Sequence, residues 1–316
     1  MEQSKKLTEG ALLLGIYVLM LFLAMTIPIF FVIAIFLLSI PFIIYTAKHG
    51  FKYALVMTSG AMLFSLFIIP VLAIPLTLLA SIGGMMIGHG IHQKASPYET
   101  WAQGAFGFVI GMVAIFTFSQ FVLGFNLIQE IESMLTDSMQ VSMDLMQQFG
   151  LQPLTDAEIQ LIEQSYRSML ELIPAGVAIL AIIMAFISQW LSYKILNRSQ
   201  QQHLKFPPFR EFKLPVAMVW IYFVVIILSL FGQELPDSLG IAVNNVVMLV
   251  GWLIVLQGFS FMFFYAHHKG KSNALPIVGI ILTLIFPFFF LYLVRILGII
   301  DIGFDLRKRL SEEGKK

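Results

Sequence analysis

The sequence has no cysteine and few charged residues. The absence of cysteine among its 316 residues excludes disulfides, thiol nucleophiles and cysteine metal ligands. Only 12% of the residues are Asp, Glu, Lys or Arg, whereas 59% are hydrophobic. Soluble domains carry about a quarter charged residues. A water-soluble fold could not bury this much apolar surface, so we expect the solvent of this chain to be lipid.

Motifs typical of enzymes are also missing. The sequence has no nucleophile elbow, no phosphate-binding glycine loop followed by Lys and Ser or Thr, and no His-Glu-x-x-His pair. His89 and His92 have the spacing of a metal-binding pair, but no Cys or acidic ligand follows at a suitable distance. We therefore expect a non-enzymatic protein with no catalytic residue, metal or cofactor, and no nucleic-acid partner.

What the sequence does contain is a series of long apolar runs, which predict membrane helices. The runs are roughly 11–27, 29–45, 53–70, 71–91, 101–125, 172–193, 214–232, 239–266 and 274–300. Pro28 separates the first two, which favours a tight turn between two helices; a single kinked span with a re-entrant piece is the alternative. The predicted fold class is all-α, a polytopic transmembrane bundle with about eight to nine membrane segments.

The charges of the loops predict the orientation. Residues 126–171 carry eight of the 18 Asp and Glu and a single Arg, whereas the loop 194–213 is basic. Lys and Arg of short loops mark the cytoplasmic side. If 11–45 crosses twice, the N-terminus and 194–213 are cytoplasmic and 126–171 is extracytoplasmic. We expect a multi-pass protein of the bacterial cytoplasmic membrane.

The last apolar run leaves two alternatives. A single crossing by 274–300 would export the basic tail, whereas a hairpin broken at Pro287 would keep it in the cytoplasm with arms too short to span. Arg295 and Asp301 are costly in lipid and favour a re-entrant or interfacial arrangement. We therefore predict a cytoplasmic C-terminus.

The acidic segment is predicted to form two amphipathic helices that cap the bundle outside the membrane. Its apolar residues recur at helical intervals, Gly150 and Pro153 interrupt the pattern, and Thr155 to Glu158 reads as a capping box. A solvated connector is the alternative.

The domain organisation is then a six-helix membrane module, 1–200, containing the acidic insert 126–171, and a C-terminal membrane region, 201–316, with two to three further helices and a basic amphipathic tail.

Amide side chains near the outer helix ends are the candidate ligand-binding residues. Gln120 and Asn126 end the fifth run, and Asn244 and Asn245 lie near the outer end of the eighth. They are expected to converge beneath the acidic cap and bind a small polar ligand, because a buried amide needs hydrogen-bond partners. Hydrogen bonding between helices is the alternative for each of them.

Small residues at four-residue spacing predict close helix packing, either within the chain or with another subunit. Three such pairs occur: Ala11 and Gly15, Gly84 and Gly88, and Gly107 and Gly111.

Four stretches resemble the YybS-like family of bacterial membrane proteins, whose function is not established. They are Thr8-Glu-Gly-Ala11, Phe212-Lys-Leu-Pro-Val-Ala-Met-Val-Trp220, Leu256-Gln-Gly258 and Gly298-Ile-Ile-Asp301-Ile-Gly-Phe-Asp305-Leu-Arg-Lys-Arg309. The resemblance runs along essentially the whole chain, and the last stretch is its most distinctive part.

The first six runs are also similar to the membrane-embedded substrate-binding components of energy-coupling factor vitamin transporters. That resemblance implies a contact of Ala11 and Gly15 with a coupling subunit, and a substrate near Gln120 and Asn126. The acidic insert and three extra apolar runs have no counterpart in those proteins.

Two functions therefore remain open. The first is a solute-binding or transport component that lacks its own ATP-binding motif. The alternative is a membrane scaffold that recruits a cytosolic or membrane protein through its basic loops. The expected partners are the lipid bilayer, a small polar ligand for the first function, and a protein for the second.

Overall fold

The computed structural model describes residues 2–152, 154–200, 203–232 and 234–313, which are helical with no β-strand among them. The first helices in chain order are α1 Glu2–Thr26, α2 Pro28–Leu37, α3 Ile40–His49, α4 Phe51–Ser65, α5 Ala73–His92, α6 Pro97–Phe121, α7 Leu127–Gln148, α8 Asp156–Glu171 and α9 Ile173–Gln200. They are followed by a 3-10 turn, Phe209–Glu211, and by α10 Ala217–Leu230, α11 Asp237–His268, α12 Ala274–Ile285, α13 Pro287–Phe304 and α14 Leu306–Glu313. The predicted all-α class is confirmed.

Seven helices in the described part of the chain are long and apolar enough to cross a membrane. They are Gln3–Thr26, Pro28–His49, Ala73–His92, Pro97–Phe121, Ile173–Ser199, Asp237–His268 and Pro287–Phe304. The apolar helices α10 and α12 are shorter, about 21 Å and 18 Å at 1.5 Å per residue. The predicted multi-pass helical bundle is therefore confirmed.

The chain divides into two compact units. Unit 1 comprises Met1–Leu170 and Val177–Phe206, and unit 2 comprises Glu171–Gly176 and Pro207–Lys316. Each unit has its own packing.

In unit 1 the first apolar run forms two helical arms that meet at Pro28. Proline lacks a backbone N–H, and at the first position of α2 it starts a helix without losing a hydrogen bond. The far ends of the arms lie together, because Glu9 on α1 pairs with Lys48 at 2.6 Å and with His49 at 2.8 Å at the end of α3. The arms are therefore antiparallel.

Glycines on α5 and α6 let neighbouring helices approach closely. A Cβ on Gly84 would lie 2.6 Å from the Ser39 carbonyl oxygen, and one on Gly88 would meet Thr46, both on or beside α3. On α6, Gly107 packs against Met86 and Gly111 against Leu79 of α5. These two glycine pairs therefore serve packing within unit 1.

The pair on α1 differs. Ala11 is exposed, and a Cβ on Gly15 would meet no atom within 4 Å. These two residues do not pack within the described part of the chain.

The acidic segment forms two helices, α7 and α8, as predicted. The Thr155 backbone N–H donates to Glu158 Oε2 at 2.8 Å, and the Glu158 N–H donates back to Thr155 Oγ1 at 3.4 Å, which confirms the capping box. These bonds from Thr155 hold the pKa of the exposed Glu158 below its usual range. Gly150 takes the left-handed conformation (φ +66°) that ends α7, while Pro153 lies outside the described residues. Apolar side chains of both helices are exposed, among them Ile128, Leu145, Phe149, Leu161 and Met169.

In unit 2 the helices α11 and α13 run side by side in the same direction. Gly258 packs against the Val294 carbonyl, and Gly298 packs against the Ile254 carbonyl, so the two backbones touch without intervening side chains. The last apolar run is broken at Pro287 into α12 and α13. As a result the C-terminal residues lie beside residues 207–213, at the end of α11 that carries His267.

Candidate functional site

The four amide residues predicted to bind a ligand are divided between the units. Gln120 and Asn126 belong to unit 1, and Asn244 and Asn245 belong to unit 2. Gln120 and Asn244 are exposed. The structure therefore does not bring these four side chains together within one unit.

The remaining two amides already have local hydrogen-bond partners. Asn126 is the N-cap of α7, where its Oδ1 accepts from the backbone N–H groups of Ile128 and Gln129 at 3.1 and 3.3 Å. Asn245 Oδ1 accepts from the Ala175 N–H at 2.7 Å, and its Nδ2 donates to the Glu171 carbonyl at 2.7 Å. Both amides perform the alternative role of linking and capping helices.

A second polar group in unit 2 is larger and more deeply buried, and it centres on Asp301 near the end of α13. Its carboxylate is fully buried and pairs with Arg307, whose Nη2 lies 2.9 Å away and whose side chain is 11% exposed. Arg307 Nε donates to the same carboxylate at 3.0 Å. From the other side Gln257 Nε2 on α11 donates to Asp301. The carboxylate thus has three donors in a site closed to water, which is the arrangement a buried charge requires.

The same residues hold the loop that precedes α10. Gln257 Oε1 accepts from the Leu214 N–H at 2.9 Å, and Arg307 Nη1 donates to the Arg210 carbonyl at 2.7 Å. The Ser260 hydroxyl lies 2.7 and 2.8 Å from the carbonyl oxygens of Phe209 and Phe212 and accepts from Arg307 Nη2. Pro207, Pro208 and Pro215 prevent an α-helix in this loop, so its backbone groups need such partners. We call Gln257, Ser260, Asp301 and Arg307 the polar lock.

An exposed ion pair extends the polar lock. Lys213 Nζ lies 2.8 Å from Asp305 Oδ1, and this lysine holds the pKa of Asp305 below its usual range. Asp305 has a left-handed backbone (φ +46°), which turns the chain from α13 into α14 and brings Arg307 back towards Asp301. The distinctive C-terminal sequence thus forms the turn that places Arg307 against Asp301.

Sequence reasoning identified Asp301 as costly in lipid but did not pair it with Arg307 or Gln257. The available signal was local. Asp301 and Arg307 are opposite charges six residues apart at the end of an apolar run, with a left-handed break between them. Gln257 is fully buried, in agreement with a packing role.

Arg295 is the other charged residue within the apolar part of unit 2. It lies near the midpoint of α13, opposite Gly251 near the midpoint of α11. Its Nη1 donates to the Tyr222 hydroxyl at 3.0 Å, and the guanidinium carbon is 5.8 Å from the centre of the Tyr222 ring. Its Nε is buried and has no hydrogen-bond partner in the described structure. No described carboxylate forms an ion pair with Arg295.

Comparisons with known proteins agree with the architecture. The protein family described as "Predicted membrane protein (DUF2232)" matches residues 15–302. The uncharacterized protein YybS of Bacillus subtilis (strain 168) is 27% identical over 311 residues, covering 98% of this chain and 100% of that protein. No solved structure matches the chain.

The predicted resemblance to YybS-like proteins is thus confirmed along nearly the whole chain. The similarity to energy-coupling factor components is not shown by these comparisons and stays a prediction.

Proposed function

We propose that this chain, which belongs to the DUF2232 family of predicted membrane proteins, is a non-enzymatic component that binds an anionic small solute within the membrane. The observation that carries the proposal is Arg295. On insertion scales an arginine at the centre of a membrane helix costs about 2.5–3.5 kcal/mol. A residue kept at that cost without a carboxylate partner is expected to serve binding or transport.

The surroundings of Arg295 suit an anion. Tyr222 is neutral, so it orients the guanidinium without neutralising it. Gly251 has no side chain, and a Cβ there would lie 3.2 Å from the guanidinium carbon. The planar guanidinium keeps donors for a carboxylate or phosphate, which it can bind through two parallel hydrogen bonds.

The binding test uses the full-length protein in mild detergent, with native mass spectrometry of retained anions. Replacing Arg295 with glutamine should reduce retention about ten- to hundredfold, the equivalent of about 1.5–3 kcal/mol for hydrogen bonds to a charged group. Tyr222→Phe should weaken retention less, because the cation remains. Arg198→Gln removes an exposed positive charge from α9 and serves as the matched control.

A helix-linking role for Arg295 makes a different prediction. In that case Arg295→Gln and Tyr222→Phe would lower thermal stability by similar amounts, and the unmodified protein would retain no anion. That result would refute the proposed function.

A second candidate function is the scaffold role, favoured by the polar lock. The lock holds residues 209–214 through hydrogen bonds, while Phe209 and Lys213 are partly exposed. A rigid, exposed segment with aromatic and basic residues suits a protein partner. If this role is correct, a cytosolic protein should co-purify with the chain, and Phe209→Ser with Lys213→Gln should abolish its recovery while Lys271→Gln does not. Equal recovery with all variants would refute it.

A further inference from the structure

We propose that the apolar face of α7 is a docking surface for a basic amphipathic helix of a partner protein. This face, which we call the apolar stripe, consists of exposed apolar residues spaced three, four or seven positions apart along the helix and its C-cap. They are Ile128, Ile131, Met134, Val141, Leu145 and Phe149. At 3.6 residues per turn, such spacing places their side chains on one side of the helix. The surface is separate from Arg295 and from the polar lock, and it does not depend on the functions proposed above.

The apolar stripe has no cover within the described part of the chain. An amphipathic helix is normally stabilised by packing its apolar face against a core. In the apolar stripe, however, the exposed fraction ranges from 37% for Ile131 to 77% for Phe149. The next helix, α8, has no buried residue among those described. A helix of 22 residues with its apolar side in solvent is expected to gain stability from a partner.

The charges of α7 indicate the chemistry of that partner. The helix carries Glu130, Glu132, Asp137 and Asp144 and has no Lys, Arg or His. Among the described residues no basic side chain pairs with any of these four carboxylates. Glu130 and Glu132 adjoin Ile131 in the chain, so each lies about 100° around the helix from it, at the two edges of the apolar stripe. An apolar centre with a charged rim is the usual anatomy of a protein interface.

The same charges disfavour the other surfaces that could cover the apolar stripe. Helices that lie on a membrane carry Lys and Arg on their polar face, because anionic lipid headgroups attract them. A second copy of this chain would bring four more carboxylates against the first four, and like charges across an interface are unfavourable. A partner helix with apolar residues on one side and Lys or Arg beside them covers the apolar stripe and neutralises its edges.

The binding test uses the full-length protein in nanodiscs of phosphatidylcholine, a lipid without net charge, and synthetic helical peptides as probes. One peptide has leucine and lysine in an amphipathic pattern, a second has glutamate in place of lysine, and a third has the composition of the first in scrambled order. Dissociation constants are measured by isothermal titration calorimetry, with empty nanodiscs as background. Only the first peptide should bind, more weakly as salt is added. Failure of the first peptide to bind, or equal affinity for the other two, would overturn the proposal.

Variants separate the apolar stripe from general negative charge. Ile131→Ser with Leu145→Ser should weaken binding of the lysine peptide about tenfold, which corresponds to about 1.4 kcal/mol. Neither side chain is buried, so unit 1 should fold as before. Glu130→Gln with Glu132→Gln should weaken binding and reduce its salt dependence. Gln140→Ser is the matched control, because Gln140 is exposed and lies opposite Ile131 on the helix. A loss with Gln140→Ser as large as that with the stripe variant would contradict a specific surface.

Hydroxyl-radical footprinting of Met134 and Phe149 tests for the two other occupants. Without peptide both side chains should be oxidised readily, and the lysine peptide should protect them. Protection without peptide in nanodiscs that hold one copy of the protein would identify the bilayer as the cover. Protection only in nanodiscs that hold two copies would identify a second copy. Either result would refute the docking of a basic partner helix.

Discussion

Replacing Asp301 with asparagine should destabilise unit 2 by about 3–5 kcal/mol, the cost of leaving one member of a buried ion pair without its partner. The reason is burial. The Asp301 side chain is fully buried and that of Arg307 is 11% exposed, so water cannot replace the missing charge. The Nδ2 of the new asparagine is a donor, and it would face another donor, either Gln257 Nε2 or the Arg307 guanidinium. One of the present hydrogen bonds to residue 301 is therefore lost.

Removing both charges should cost less than the two single changes together. In the variant with Asp301→Leu and Arg307→Met no buried charge remains, although the hydrogen bonds from Arg307 to Ser260 and to the Arg210 carbonyl and the bond from Gln257 to Asp301 are lost. The coupling energy of this double-mutant cycle should reach about 2–3 kcal/mol. Residues in direct contact show couplings of that size, whereas distant residues do not.

The assay is denaturant-induced unfolding of the purified protein in detergent micelles, followed by tryptophan fluorescence. Lys308→Gln is the matched control, because Lys308 is exposed and adjacent to Arg307 in the chain. If Asp301→Asn unfolds within about 0.5 kcal/mol of the unmodified protein, or the double variant equals the sum of its singles, the buried pair described above is wrong.

Three further predictions follow from other contacts. Gly298→Ala places a Cβ against the Ile254 carbonyl and should cost about 1–3 kcal/mol of overpacking, whereas Gly303→Ala, which meets no atom within 4 Å, should be nearly neutral in the same unfolding assay. Because the pKa of Glu158 is lowered, its stabilisation of α8 is fully present above the usual Glu pKa and is lost as the pH falls through the lowered value. Hydrogen exchange of α8, corrected for intrinsic rates, should therefore become faster on acidification. Glu158→Gln should abolish this pH dependence. Lys213 lowers the pKa of Asp305, so this ion pair also contributes stability at neutral pH that is lost on acidification. Lys213→Gln should therefore reduce the stability difference between neutral and strongly acidic pH by a few tenths of a kcal/mol, measured by unfolding at each pH.

The features that the sequence predicted correctly have local causes. The membrane helices follow from the length of the apolar runs, and the break at Pro28 follows from proline chemistry. The capping box is written in four consecutive residues beginning at Thr155. The helix also breaks at Pro287, whereas the number of times that 274–300 crosses the membrane stays a prediction.

The pair of Asp301 and Arg307 is local, but other contacts that escaped prediction join residues far apart in the chain. Asp301 accepts a hydrogen bond from Gln257, which lies 44 positions away in the chain, and no periodic pattern in the sequence predicts that contact. The small-residue pairs illustrate the same limit, since three identical spacings have different outcomes. Gly84 packs against α3, whereas Gly15 faces open space. Four-residue spacing of small residues permits a close approach of another helix, but it does not identify which helix packs there.

The cap that Asn126 forms also has a local cause in the sequence. An asparagine directly before an amphipathic helix is a strong N-cap signal, and its Oδ1 caps α7.

The two arginines of the C-terminal helices differ in their hydrogen-bond partners. The guanidinium of Arg307 bonds a buried carboxylate, one backbone carbonyl and a hydroxyl, so all of its nitrogen atoms serve the fold. Arg295 has one neutral phenol and an unbonded Nε at mid-helix. If burial of an arginine were needed only for helix packing, the cheaper arrangement would pair it as Arg307 is paired. The difference in partners between two arginines twelve residues apart supports the proposal that Arg295 binds a ligand, whereas Arg307 stabilises the fold.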